Sequence, residues 1–222
     1  MDDRINDIEP EGSDEGAGHR RERLSADARR AEILAAVRDV AAEKGVGRLS
    51  VSDITRRADC TRSLFYHYFP DKESALDAAL DGVIDDIIDQ LRAWNAHRVL
   101  GDVEGALDSV VALLRRLVVD QRGLPRSLMA DGNATLYTGF VHRLADRTAH
   151  YIVETTVSDF ARFHAIHIDH VYETFYVLIC GLIMFIRTHP DAPDETIKDL
   201  IAQSLRIEEY TRKYAGHWLA EE

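Results

Sequence analysis

Between Ser50 and Glu73 the chain reads SVSDITRRADCTRSLFYHYFPDKE, a string that constrains the fold more than any other. Ser50 followed by Asp53 is a capping box, which starts a helix by satisfying orphan N–H groups in both directions. Val51, Ile54 and Ala58 then recur at helical spacing, so that helix has one apolar face. Asp59-Cys60 interrupts the pattern, and Thr61 caps a second helix that turns Leu64 and Phe65 inward. Arg62, Ser63, Tyr66 and His67 are left pointing away from the core. A basic, hydroxyl-rich and aromatic outer face on the second of two such helices has the shape and chemistry to enter a DNA major groove.

These residues resemble the DNA-binding region of the tetracycline-repressor (TetR) family of bacterial transcription regulators. The likeness runs from about Ala28 to Leu80 and begins with Ile33-Leu34-Ala35-Ala36-Val37 and Glu43-Lys44-Gly45. It is carried most specifically by Thr61-Arg62-Ser63-Leu64-Phe65-Tyr66-His67-Tyr68-Phe69-Pro70-Asp71-Lys72-Glu73. Two positions depart from the family pattern. Asp59 stands where the family usually has Gly, because the turn needs a positive φ; Asp is among the few other residues that visit that region. Ser63 also replaces a frequent Gly, and its hydroxyl bears on the operator sequence rather than on the fold. Cys60 stands where the family has a small apolar residue, which makes packing its expected role. The resemblance implies an all-α fold with an N-terminal three-helix helix–turn–helix domain and a C-terminal helical domain for ligand binding and dimerisation.

Charge distribution supports that division. The 222 residues carry a net charge of −12, which taken whole argues against DNA. Residues 1–19 hold one Arg against seven acids, and residues 73–222 hold fourteen basic against twenty-four acidic groups. Residues 20–72 reverse the balance, with twelve Lys/Arg against eight acids. Positive charge is therefore concentrated on the segment with the helix pair, where it can neutralise phosphates. The two cysteines, Cys60 and Cys180, fit a reducing cytosol and leave no disulfide framework. The acidic N-terminus lacks the apolar core of a secretory signal. The longest apolar run, Phe175 to Ile186, is twelve residues, short of the roughly 20 that a bilayer needs. A cytoplasmic protein without membrane contact is expected.

Along the chain, residues 1–24 read as a disordered arm, 25–72 as the DNA-binding domain and 73–222 as the helical ligand-binding and dimerisation domain. Arg20-Arg21-x-Arg23 is either a solvated run or an arm that reaches DNA. A first helix is expected over 26–44, buried through Ile33, Leu34, Val37, Val40 and Ala41 and stopped by Gly45. Asp71 caps a long helix over about 72–96 with an apolar face from Leu76 to Leu91. Helical spacing continues over Val103–Gln121, breaks at Gly123-Leu124-Pro125, and returns as a short Ser127–Ala130 piece. Ala134–Phe163 is long enough for one helix, and Glu195–Trp218 forms the last. His167–Thr188 is apolar nearly all round and needs burial on every side. Pairing this helix and the last with those of a second copy gives a four-helix bundle and a twofold homodimer, with Gly181 allowing close approach.

Arg62 is the principal candidate base reader, because a guanidinium fork matches the two major-groove acceptors of guanine. His67 and Ser63 are secondary readers, and Tyr66 offers a ring to a thymine methyl or a hydroxyl to phosphate. Thr61, Ser50 and Lys72 suit phosphate contact. For a small-molecule effector, the polar-tipped aromatics Trp94, His97, Tyr137, Phe140, Tyr151, Tyr172 and Tyr176 are the candidate pocket residues. The competing class is a helical small-molecule- or metal-binding protein without DNA function, prompted by His164, His167 and His170. At i, i+3 and i+6 on an unbroken helix these three cannot all converge on one ion, which leaves a two-His site at i, i+3 completed by another helix as the alternative; no metal ligand set and no cofactor is assigned. No H-E-x-x-H, P-loop, G-x-S-x-G or Cys-pair motif points to catalysis.

Overall fold

The computed structural model describes residues 25–119, 128 and 133–212, which form helices, turns and loops with no strand. The acidic arm, the 123–125 break and most of the 127–130 piece lie outside the described residues.

The head is three helices. Ser25 caps α1 (Ala26–Lys44) by accepting the Ala28 N–H at 3.1 Å. Gly45 ends the helix at φ 85°, a conformation that costs a residue without Cβ little. A 3₁₀ turn, Val46–Arg48, leads to α2 (Val51–Arg57). One half of its capping box is formed: the Asp53 N–H donates to Ser50 Oγ at 3.2 Å, while the Asp53 carboxylate accepts the Ser50 hydroxyl at 2.7 Å in place of the Ser50 backbone N–H. Asp59 takes φ 46° in the following turn, which Cys60 N–H closes on the Thr55 carbonyl at 3.0 Å. Thr61 then caps α3 (Arg62–Tyr68) through the Leu64 N–H at 3.1 Å. Ile33, Val37, Ile54, Phe65 and Leu80 are fully buried between these helices and the next.

That next helix, α4 (Lys72–His97), is capped by Asp71, which accepts the Ser74 N–H at 2.7 Å. Its N-terminal half closes the head through Ala75, Leu76, Ala79 and Leu80, and its C-terminal half runs into the body through Ile84, Ile87, Ile88 and Leu91. One apolar core passes along it from Ile33 and Phe65 to Phe140, Ala145 and Ile183 without interruption. Arg38 of α1 reaches across to Asp86 at 3.0 Å.

The body adds α5 (Val103–Val118) and α6 (Ala134–Ile152), then α7 (Val171–Thr188) and α8 (Asp194–Leu205). A second core of Leu107, Val111, Leu182, Ile186, Ile197 and Ile201 joins α5, α7 and α8. Lys198, buried in this layer, donates to Asp108 at 2.6 Å and to Glu104, whose other oxygen accepts the Arg212 N–H.

Three sequence expectations are corrected. The helix expected over Ala134–Phe163 passes through a π-helical stretch, Val153–Val157, before its last turn, Ser158–Phe160. Four of those five residues are β-branched, and Thr155 Oγ1 donates to the Tyr151 carbonyl at 2.6 Å, competing with the regular ladder. His164, His167 and His170 do not share a helix: α7 starts at Val171, and His164 stacks on Phe160 and Tyr210 at 4.8 and 4.4 Å in a separate turn. The helix expected over Glu195–Trp218 is interrupted after Leu205, and residues 213–218 of that stretch lie outside the described residues. Arg206 adopts φ 53° and, with Ile207 N–H on the Ala202 carbonyl at 2.9 Å, makes a Schellman motif without its usual glycine.

α7 is long and apolar enough, by length and composition alone, to cross a membrane, and 22% of it is buried within the single chain. Leu182, Ile183 and Ile186 face inward, while Val177 is 67% exposed and Gly181 and Met184 share the open side.

The capping box carries a pH prediction. Asp53 is held at about 2, below its ordinary 3.8, by the hydrogen bond from Lys44 and then that from Ser50. Its folded value is the lower one, so its contribution is complete above about pH 4 and drains as pH falls toward 2. Asp53→Asn therefore lowers the urea midpoint at about pH 6, and the gap from wild type closes on acidification. A gap independent of pH would mean that the cap acts without its charge.

Candidate nucleic-acid interface and ligand cavity

The outer face of α3 is built as its sequence required. Phe65 and Phe69 anchor it at 0% and 3% exposure, their rings 5.8 Å apart. Ser63, Tyr66 and His67 are exposed, Tyr66 at 54% with its ring edge-on to Phe65. Arg62 is exposed as well, and its guanidinium donates to the Ser52 hydroxyl on α2. Thr61 is exposed, and its oxygen serves the Leu64 N–H, which leaves the hydroxyl proton free to donate.

Ser50 and Lys72 are more committed. Ser50 is half-buried, with its hydroxyl proton on the Asp53 carboxylate. Lys72 is half-buried, 3.4 Å from the Leu49 carbonyl and 3.6 Å from Glu73. Sequence reasoning passed over Ser52 and Arg56. Both are exposed on α2, and Arg56 turns back to Asp53. Their signal was available, since the polar face of α2 must lie on the open side once Ile54 is buried. Cys60 packs against the core of the head, and burial raises its thiol pKa.

The body holds a cavity of about 240 Å³ between α4, α5, α6, α7 and α8. Its wall is mainly Leu, Ile and Val, with Trp94, Tyr137 and Phe140 among the few aromatic members. Those three were on the sequence-derived pocket list; the other four are not in the wall. His97 is exposed at the end of α4, with Nδ1 2.6 Å from the Ala93 carbonyl. Tyr151 lies beneath Arg92. Tyr172 donates to Asp146 at 2.6 Å, and Tyr176 meets His142 Nδ1 at 2.9 Å. The bond to Asp146 pushes the Tyr172 phenol up to about 12. Helical spacing had put these rings on helices that flank the cavity, but Tyr172 and Tyr176 of α7 are taken up in contacts with α6 instead.

Polar groups on the cavity wall are few. Arg98, almost wholly buried, is paired with Asp159 at 2.7 Å and bonded to Asn95 at 2.7 Å, and Asn95 also receives the Thr156 hydroxyl. This network ties the end of α4 to the π-helical stretch. Thr148 Oγ1 and His164 Nε2 are buried without a hydrogen-bond partner. Arg187 lies 4.4 Å over the Tyr137 ring, and among the described residues no carboxylate pairs with it.

Residues 33–79 match the family model for bacterial regulatory proteins of the tetR family. No curated protein matches the chain in sequence. Solved structures of similar fold include RolR in complex with resorcinol, at 20% identity and TM-score 0.57 over 88% of this chain and 94% of that one. A TetR-family regulator from Streptomyces coelicolor matches at 20% identity and TM-score 0.58, covering 80% and 98%. The fatty acid degradation regulator FadR from Bacillus halodurans matches at 16% and 0.59, covering 83% and 97%. Residues 33–79 are therefore similar to the tetR-family domain, and the chain has the fold of the solved regulators named above.

Base reading by Arg62 gives a direct test. Arg62→Ala is expected to weaken operator binding by about 1–3 kcal/mol and to relax preference at one base position. Affinities over a set of single-base operator variants check it; equal weakening on every sequence would make Arg62 a phosphate contact.

Proposed function

We propose that the chain is a homodimeric, sequence-specific DNA-binding regulator, and that it acts as a repressor released from its operator by a small molecule. In this reading 25–72 is the reader and 73–222 the sensing and dimerising unit. Ser63, Tyr66 and His67 join Arg62 at base edges, and Thr61 and Lys72 hold phosphate. Ser50, whose hydroxyl is already spent on Asp53, contributes chiefly by starting α2. The protein works in the cytoplasm, with no catalytic role.

One observation carries the proposal: the same helix, α4, packs under the reader and walls the cavity. Leu76 and Leu80 pack with α1 in the core that also anchors Phe65 of α3, while Ile87, Leu91, Trp94 and Arg98 line the space where a ligand would bind. A ligand that prefers one tilt of α4 therefore biases the position of α3, and by linkage DNA biases ligand affinity equally. A solved relative of the same fold holds resorcinol, which supports a small organic effector.

The exposed side of α7 supports the dimer. A helix this apolar gains by burying Val177 and Met184 against a second copy, and Gly181 has open space around it for a close crossing. Two readers on a twofold axis can then address half-sites about one helical turn of DNA apart.

Two measurements test the proposal. Val177→Glu is expected to leave the fold intact, convert the dimer to monomer in sedimentation, and weaken operator binding by an order of magnitude or more. A variant that stays dimeric would put the interface elsewhere. Gel shifts of the full-length protein on DNA upstream of its own gene are expected to show a salt-sensitive, sequence-specific complex. A cavity ligand should weaken that complex roughly 5- to 150-fold. A complex tightened by the ligand would make the protein an activator or a co-repressed regulator.

A further inference from the structure

The cavity has more chemistry than an apolar hole requires. Its lining follows α7 from Val171 to Arg187, about 24 Å at the helical rise, so its volume is drawn out along the helix. A cavity of about 150 Å³ accommodates a benzene ring. The 240 Å³ here suits a slender ligand on the order of a dozen non-hydrogen atoms.

The polar groups sit at separated points on this track. At one end Arg187 stacks on Tyr137, and no carboxylate among the described residues neutralises it. The ring face attracts the cation but accepts no directed hydrogen bonds, so the fork of N–H donors stays available. Arg98, the other arginine of the wall, is not available, because Asp159 and Asn95 hold it. Thr148 lies eleven residues beyond Tyr137 on α6, about 16 Å along the axis. It is 9% exposed and its hydroxyl is orphaned. A buried hydroxyl without a partner costs free energy that a ligand oxygen would recover. His164 Nε2 is a second orphan on the same wall. Between these points the wall is aliphatic, with Leu144, Leu182 and Ile183 among its residues.

We propose that the effector is a straight-chain carboxylic acid with a second oxygen toward the far end of its chain. Arg187 takes the carboxylate in a charge-assisted, two-point contact, and Thr148 hydrogen-bonds the distal hydroxyl or carbonyl oxygen. The aliphatic wall covers the methylene chain, and roughly a dozen extended carbons span the separation. Ring acids fit the length of this track poorly. The inference rests on the ligand-responsive reading above and assigns the ligand class of that cavity.

The test is calorimetric titration of the full-length protein and two variants with dodecanoate, dodecanol and ω-hydroxydodecanoate. Wild type is expected to bind dodecanoate about tenfold tighter than dodecanol, and the ω-hydroxy acid tighter again by about fivefold. Arg187→Gln should abolish the preference of acid over alcohol while retaining dodecanol affinity. Thr148→Val should abolish only the gain from the ω-hydroxyl, leaving dodecanoate unchanged. Equal binding of acid and alcohol by wild type overturns the carboxylate assignment, as does an acid preference that survives in Arg187→Gln. An ω-hydroxyl gain that survives in Thr148→Val overturns the second contact, and failure of all three compounds to bind overturns the ligand class. Operator binding measured by gel shift on the same preparation reports the regulator reading separately, so a failed titration with an intact complex rejects the ligand class alone.

Discussion

A single 26-residue helix that carries one continuous core from head to body is the constraint on which the rest of this molecule depends. At about 1.5 Å per residue α4 is near 39 Å long. Its first turns complete the head, where Ala75, Leu76, Ala79 and Leu80 share one core with Ile33, Ile54 and Phe65. Its last turns complete the body, because α5 and α6 leave an apolar seam that Ile87, Ile88 and Leu91 fill. Close-packed interiors transmit displacement rather than absorb it. Any change of body packing that moves the C-terminal half of α4 must be accommodated in the head or break that shared core.

The charges along α4 fit such a lever. Asp77 and Asp81 face Arg143 of α6 at 3.4 and 3.3 Å, Asp85 meets Arg147, and Asp86 on another side meets Arg38 of α1. These pairs are solvent-exposed, and pairs of that kind contribute about 0–1 kcal/mol each. They guide the helix more than they hold it, and one can be exchanged for water at small cost. The tighter attachment is at the far end, where nearly buried Arg98 binds Asp159 and Asn95 beside the π-helical stretch. Leaving one partner of a buried pair alone is costly. The end of α4 and the cavity rim should therefore move as one piece.

What the sequence made legible follows from how local each signal is. Caps are read within four residues, so Ser50 with Asp53, Thr61 and Asp71 were identifiable as helix starts and are found as such. Asp59 was identifiable as a left-handed turn residue through the family resemblance, which puts Gly at that place in the turn. The apolar stripes of α1 and α4 were equally readable from their periodicity. The end of α8 was not, since Arg206 supplies a left-handed C-cap that sequence normally announces with glycine. The cavity was legible only in part for a related reason. Periodicity says that Tyr172 and Tyr176 lie on one side of α7, but not whether a cavity or another helix covers that side. Their bonds to Asp146 and His142 decide it, and the cavity wall goes instead to Leu, Ile and Val.

The same distinction orders the residues of the reading face by how much each can give to DNA. Ser50 would have to surrender a hydrogen bond to a carboxylate in order to serve a phosphate, and the Asp53 charge beside it repels the newcomer. Lys72 is held by a long contact to a carbonyl and a looser one to Glu73, so a phosphate oxygen is a better partner than either. Arg62 gives up only a neutral hydroxyl on Ser52, at the surface, where water readily replaces it. A guanidinium that exchanges one such bond for two to guanine gains on exchange, and it gains only where guanine is present. In the unbound protein, then, the resting contact of Arg62 is weak enough to be lost and specific enough to keep the side chain near the groove it is proposed to read.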